Sequence, residues 1–305
     1  MKVTLMHNPD AGDDANPSGD QILRLIRKAG HKAKYQSLKD GTWKKALKKP
    51  CDIVAVAGGD GTVGKVARRL VESRTPIAVL PMGTANNIAS TFGLAGRRFE
   101  DLIEGWSAAR CVNFDAGMAK GPWGSRFFIE GFGMGLFAET MFQIDNGKHL
   151  HPSDTDDPEE EINAVLKVLK KQLSKYPSKD LTVRLDGQDL SGDYLLLEAL
   201  NIRYIGPKLD FVPRAEINDG LLDVVFVSKD EQTKLGRYIS DRLKYKRSRV
   251  NLTIRRGRHL QVEGERSPVH IDDLPWPENK DGTSIPSNAI DIKIDPGALV
   301  FLTPR

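Results

Sequence analysis

Ile53-Val-Ala-Val-Ala57-Gly58-Gly59-Asp60-Gly61-Thr62 determines how the first third of this chain folds. Five apolar residues in a row, without alternation, are the pattern of a parallel strand covered on both faces. The run stops at three glycines in four positions, and Val63, Val66, Ala67 and Leu70 then recur at helical spacing. Ile77-Ala-Val-Leu80 repeats the device, ending in Pro81-Met-Gly-Thr-Ala-Asn-Asn87 before another helical segment. Upstream, Val3-Thr-Leu-Met6 is a short strand closed by Asn8-Pro9 and a Gly/Asp/Asn-rich loop. Ile22, Leu23, Leu25 and Ile26 follow at helical spacing with Gly30 as the stop, and Trp43, Ala46 and Leu47 mark a second short helix. Strands alternating with helices predict a parallel sheet with right-handed crossovers, whose ligands collect beyond the carboxyl ends of the strands.

The glycine loop has the chemistry of a phosphate cradle. Gly58, Gly59 and Gly61 carry no Cβ to hold a ligand off the backbone. Between a buried strand and a helix start, their N–H groups converge on a phosphate at the positive end of the helix dipole. Thr62 either caps the helix or bonds a phosphate oxygen. Asp60 repels a bare phosphate; it fits either a metal ion held by that phosphate or a proton leaving an attacking hydroxyl. A tight strand-to-helix turn is the alternative for a lone glycine pair, and the five residues in this context weigh against it. In the second loop Thr84 and Asn86 offer a hydroxyl and an amide to the same ligand, although Pro-x-Gly alone is ordinary turn chemistry. Neither GxxxxGK[ST] nor GxGxxG occurs, so the phosphate device is a different one.

After about residue 110 the pattern changes to strands joined mostly by turns, over 112–118, 127–132, 181–185, 194–202, 222–227, 250–254 and 290–294. Asp186-Gly-Gln188 reads as a hairpin turn. Two helices interrupt the strands, over 158–173, acidic at its start and basic at its end, and over 231–243. The expected fold is therefore an α/β N-terminal domain over 1–110 with a Rossmann-like parallel sheet, and a β-rich C-terminal domain over 111–296. The 305 residues are 39% hydrophobic and 28% charged, which excludes a disordered chain, and no apolar stretch approaches the roughly 18–20 residues of a membrane span. The opening residues read as a strand and turn, not a secretory signal. Cys51 and Cys111 stand far apart, so a disulfide framework and a zinc site are not expected and a reducing cytoplasm is. Forty-five basic against 41 acidic residues leave a charge of +4. The basic clusters at 44–49 and 242–258 permit an anionic partner without choosing one.

At its glycine loops the sequence resembles the catalytic-domain family of diacylglycerol kinases, which includes bacterial lipid kinases and sphingosine kinases and shares GGDGT with NAD kinases. The resemblance rests on Asn8-Pro9, Gly58-Gly-Asp-Gly-Thr62, Pro81-Met-Gly-Thr-Ala-Asn86-Asn87 against PxGTxND, Glu130-Gly-Phe-Gly-Met-Gly135 and Asn218-Asp-Gly-Leu-Leu-Asp223. It implies two domains, the second a β-sandwich, with 297–305 returning to the first and the nucleotide in the cleft between them. ATP would contact Asn8, Gly58, Gly59, Asp60, Gly61, Thr62, Thr84 and Asn86. Asp219 would bind a structural or regulatory magnesium. The activity implied is ATP- and Mg2+-dependent transfer of phosphate to a hydroxyl of diacylglycerol or a related lipid alcohol, with Asp60 and Asp272 as catalytic residues. There are departures. Asn87 replaces the usual Asp, and the family's Asp-Gly-Glu reads Asp272-Asp273-Leu274 here. Leucine accepts no proton, so either Asp272, Asp273 or Asp60 does that work, or the protein is a catalytically altered or inactive nucleotide- and lipid-binding homologue. A Pro-rich polar insertion follows over about 275–287. The basic run Arg242-Leu-Lys-Tyr-Lys-Arg-Ser-Arg249 reads equally as a solvated helix end and loop or as a peripheral contact with an anionic membrane surface, and nucleic acid is not expected. His149-Leu-His151 lacks a third ligand at fixed spacing and reads as a surface loop.

Overall fold

Apolar residues that fill both faces of a strand place it inside a sheet, and this holds for the first unit of the computed structural model. The structure describes residues 1–12, 16–71, 73–145, 157–264, 267–276 and 289–304. The chain divides into two units, one of Met1–Ala116 with Pro296–Arg305, the other of Gly117–Asp295. In the first, β1 (Lys2–His7), α1 (Gly19–Lys28), β2 (Lys32–Ser37), α2 (Trp43–Ala46), β3 (Ile53–Gly58), α3 (Asp60–Ala67), β4 (Ile77–Pro81), α4 (Asn87–Thr91) and α5 (Phe99–Glu104) follow one another. The strands are parallel in the order β2-β1-β3-β4, and every residue of β3 is buried. α1 begins with a capping box in which Ser18 and Gln21 serve each other's backbone N–H groups. Phe92, Phe114 and Phe301 stack together, holding the C-terminal residues against this unit.

The second unit is β-rich. Its elements are β5 (Arg110–Gly121, begun in the first unit), β6 (Gly124–Phe128), β7 (Gly131–Gly135), α6 (Leu136–Asp145), α7 (Pro158–Leu173), β8 (Lys179–Leu185), β9 (Gln188–Asp189), β10 (Gly192–Leu200), β11 (Tyr204–Ile205), β12 (Leu209–Asp210), β13 (Leu222–Ser228), α8 (Gln232–Arg242), β14 (Thr253–Gly257), β15 (His259–Gly264), β16 (Val269–Ile271), β17 (Leu274–Trp276) and β18 (Ile290–Thr303, which ends in the first unit). Side-chain alternation along β10 and β13 separates two cores. Leu196, Leu200, Val225 and Val227 meet α7 and α8, whereas Leu197, Ala199, Val224 and Phe226 pack with β7, β8, β15 and β16. No helix among the described residues is long and apolar enough to cross a membrane.

Two expectations change in detail, and several strands stand where none was expected. The strand read over 127–132 is two, β6 and β7, because the N–H groups of Ile129 and Glu130 leave the ladder to bind Asp272. The strand read over 250–254 lies at 253–257, fixed by its pairing with β13, while Val250 and Leu252 stay buried outside it. An unforeseen edge strand, β2, pairs with β1. The turn at Asp186 and Gly187 joins β8 to β9 with φ of 50° and 84°. His149, His151 and most of the insertion after Pro275 lie outside the described residues.

Candidate functional site

In the first unit the residues singled out at the strand ends come together. The carboxyl ends of β1, β3 and β4 lie side by side in the parallel ladder. Asn8, just past β1, donates from its N–H to Ala57 O at 3.0 Å and from Nδ2 to Thr62 Oγ1 at 3.2 Å. Thr62 therefore joins β1 to the glycine loop; the N-cap of α3 is Gly59, with no side-chain cap bond. Met82 N–H donates to Gly58 O at 3.0 Å, which lays the second loop along the first. Their backbones touch: a Cβ added at Gly83 would lie 2.5 Å from Gly59 Cα, and one at Gly58 would lie 2.5 Å from Thr62 Cβ. With Gly59 at the cap, no N-cap side chain covers the first N–H groups of α3, which carry the helix's positive end.

Asp60 links the two loops. Its carboxylate accepts the Asn87 N–H at 2.7 Å and the Ile88 N–H at 3.0 Å, so it serves the first turn of α4 as a capping group from a different segment. The local N-cap residue, Asn86, cannot do so because its side chain turns back: Oδ1 accepts the Gly83 N–H at 2.9 Å and Nδ2 donates to Gly83 O. Asn86 sits at φ 49°, a left-handed conformation that asparagine tolerates better than most residues. Thr84 lies in the same loop, half-buried. Asp60 is the only carboxylate in the two loops.

In the second unit Asp272 closes the β16–β17 hairpin at φ 52°, buried. Its Oδ1 accepts the N–H groups of Ile129, Glu130 and Gly131 at 3.0, 2.8 and 3.3 Å, and its own N–H donates to Gly131 O at 2.8 Å. Behind it stands a pair that sequence reading missed. Glu198, Gly133 and His270 occupy one row across β10, β7 and β16. His270 Nε2 reaches Glu198 Oε2 at 3.0 Å over the glycine, and His270 Nδ1 lies 2.9 Å from Asp272 O. A Cβ at Gly133 would meet His270 Nε2 at 2.1 Å and Glu198 Oε2 at 2.2 Å, which explains the central glycine of Gly131-Phe-Gly-Met-Gly135. Burial raises the Glu198 carboxyl, opposed by His270; burial would lower His270, but the charge and hydrogen bond of Glu198 and the Asp272 carbonyl raise it. Both ring nitrogens face acceptors, so the pair holds one proton between Nε2 and the carboxylate. Strand register creates this pair between residues 72 positions apart, and no local motif announces it.

Asp219 accepts the Leu221 N–H at 2.9 Å and forms an ion pair with Arg256 Nη2. Arg256 Nε also lies 3.2 Å from Asp223, whose carboxyl burial and Glu216 push up to about 6 despite that contact. Beside them is a cavity of about 700 Å3 lined by Phe211, Val212, Arg214, Asp223, Arg249 and Ile254, among others. Asp273 and Leu274 follow Asp272 at the surface, Leu274 being 39% exposed.

Residues 2–119 match the diacylglycerol kinase catalytic domain, and residues 159–303 match the YegS C-terminal NAD kinase beta sandwich-like domain. A diacylglycerol kinase of Mycobacterium tuberculosis is 25% identical over the whole of this chain and 96% of its own length. One of Bacillus subtilis is 23% identical over 87% of this chain and 89% of its own. Among solved structures, a diacylglycerol kinase from Bacillus anthracis superposes with a TM-score of 0.72 at 20% identity, covering 98% of this chain and 96% of that one, a likeness of fold. The two matched segments fall largely one in each unit described above: the first unit is similar to the diacylglycerol kinase catalytic domain, and most of the second to the YegS C-terminal NAD kinase beta sandwich-like domain.

Proposed function

We propose that this protein is an ATP-dependent lipid kinase that transfers the γ-phosphate to a hydroxyl of diacylglycerol or a related lipid alcohol. The observation that carries the reading is the pairing of the two loops: Gly58, Gly59 and Gly83 interlock without side chains while Asp60 locks the start of α4. Such a surface holds backbone N–H groups in place before any ligand arrives, which is how phosphoryl transfer is catalysed, by positioning and charge stabilisation. Asn8, Thr62, Thr84 and Asn86 supply the polar groups around it. The lipid oxygen forms a bond to the γ-phosphorus as the bond to the β-phosphate bridging oxygen breaks, and the hydroxyl proton passes to a carboxylate. Mg2+ carried in with ATP would neutralise charge on the phosphates, and Asp60 would hold it through the lone pairs that its bonds to the Asn87 and Ile88 N–H groups leave over.

Asp60 thus has a positional duty as well as the catalytic one we assign to it. For Asp272 we propose support of the acceptor side, with the Glu198–His270 pair fixing the turn that carries it. Lys244, Tyr245, Lys246, Arg247 and Arg249 are exposed, and each cation near an anionic bilayer contributes about 1 kcal/mol of attraction. We propose that this segment brings the enzyme to its substrate's surface. The test is transfer of labelled γ-phosphate from ATP to diacylglycerols, sphingoid bases and other long-chain alcohols in mixed micelles. Label in the lipid phase is expected. Nucleotide binding with no transfer to any of them would defeat the kinase reading and leave a binding homologue.

A further inference from the structure

The family resemblance implies a magnesium ion at Asp219, and the donor set there does not suit one. Mg2+ requires oxygen ligands in a near-ideal octahedron at about 2.0–2.1 Å. Asp219 Oδ1 is engaged by the Leu221 N–H, and Oδ2 by Arg256 Nη2. The same guanidinium turns Nε to Asp223 Oδ1 at 3.2 Å. Arg256 is the direct cross-strand partner of Asp223 in the β13–β14 ladder, so backbone register delivers the cation to this place. Among the described residues no three His, Cys, Asp or Glu side chains gather as a metal site.

We infer that Arg256 is a built-in cation standing in for the metal ion at Asp219, so that the second unit holds its Asn218–Asp223 turn without a divalent ion. A guanidinium suits this work because its planar fork presents several donors at fixed angles and stays charged at any ordinary pH. Here two of its nitrogens bridge two carboxylates, one at the turn and one at the first residues of the following strand. Removing Arg256 leaves Asp219 and Asp223 facing each other, with the charge of Glu216 acting on Asp223 as well. That is an acidic, oxygen-rich cluster of the kind hard cations occupy. The inference concerns the nucleotide-free protein and goes beyond the kinase reading without depending on it.

Thermal melting of the full chain without nucleotide, in EDTA, in MgCl2 and in neither, tests it. Wild type should melt at one temperature in all three. Arg256→Met should melt about 3–6 °C lower, regain part of that loss in MgCl2, and bind Mg2+ in calorimetry where the wild type takes up none. Should Arg256→Met fail to fold, the wild type and Asp219→Asn still decide the matter. A wild type whose melting temperature falls in EDTA, with that response abolished in Asp219→Asn, overturns the inference. So does an Arg256→Met protein that melts like the wild type and ignores MgCl2. ATP binding measured on the same wild type reports separately on the kinase reading.

Discussion

Replacing Asp60 separates its bonds to the start of α4 from the catalytic duty we propose for it. The geometry gives it two bonds to backbone N–H groups, at 2.7 and 3.0 Å, from the first turn of α4. A hydrogen bond to a charged group contributes about 1.5–3 kcal/mol. Asn keeps one accepting oxygen and turns an NH2 toward the other N–H, so Asp60→Asn should destabilise the protein by about 2–3 kcal/mol. Asp60→Ala forfeits both bonds and should cost about 3–6 kcal/mol on the same figures. Melting experiments on both variants give this order. Activity should behave differently: either substitution removes the charge, so both should lose phosphate transfer by about 10²–10⁴-fold, the range for a positioned acid or base. Measured with labelled ATP well below the melting transition, a large loss in Asp60→Asn cannot be assigned to unfolding. The reasoning fails if Asp60→Asn turns over like the wild type, and the structural half fails if it melts like the wild type.

Other consequences follow from the second unit and from the second loop of the first. Gly133→Ala drives a methyl group into the His270–Glu198 contact, within 2.1–2.2 Å of both partners. The protein should lose about 3–5 kcal/mol or fail to accumulate, by overpacking and by breaking a buried pair; chemical denaturation reads the difference. His270 is raised above 6.5 in the folded protein, so its contribution is fully present below pH 6.5 and is lost as pH rises through the folded value. The folded state then holds up to one more proton than the unfolded one, and stability should fall by up to about 1.4 kcal/mol per pH unit in that window. His270→Gln should flatten the profile above pH 6.5; a profile identical to the wild type would show that the pair shares no proton. Gly83→Ala places a Cβ 2.5 Å from Gly59 Cα. It should weaken ATP binding measured by calorimetry much more than it lowers the melting temperature, and unchanged affinity would contradict the interlocked loops.

What could be read in the sequence was local. β3 and β4 are short apolar runs buried on both faces, and each ends in a glycine-bearing polar loop, so the strand-loop-helix units and their polar residues were legible. α7 was legible over its full length because Pro158, three glutamates and two terminal lysines mark its ends. β2 was not, since Lys32-Ala-Lys-Tyr-Gln-Ser37 is an edge strand with mostly solvent-facing side chains and no apolar alternation. Ile129 and Glu130 read as strand because nothing near them shows that Asp272, more than 140 residues away, takes their N–H groups. The Glu198–His270 pair and the Arg256 bridge were hidden for the same reason. Each is made by register between strands far apart in the chain, and register is a property of the packed sheet.

The phosphate-holding duty of the two glycine loops can be tested by amide hydrogen exchange of the wild-type protein with and without ATP and Mg2+. Exchange should slow at residues 58–62 and 83–88, the backbone that Asp60 ties together, and should slow there more than anywhere else in the first unit. If ATP binds and these amides exchange as fast as before, the loops do not hold the nucleotide.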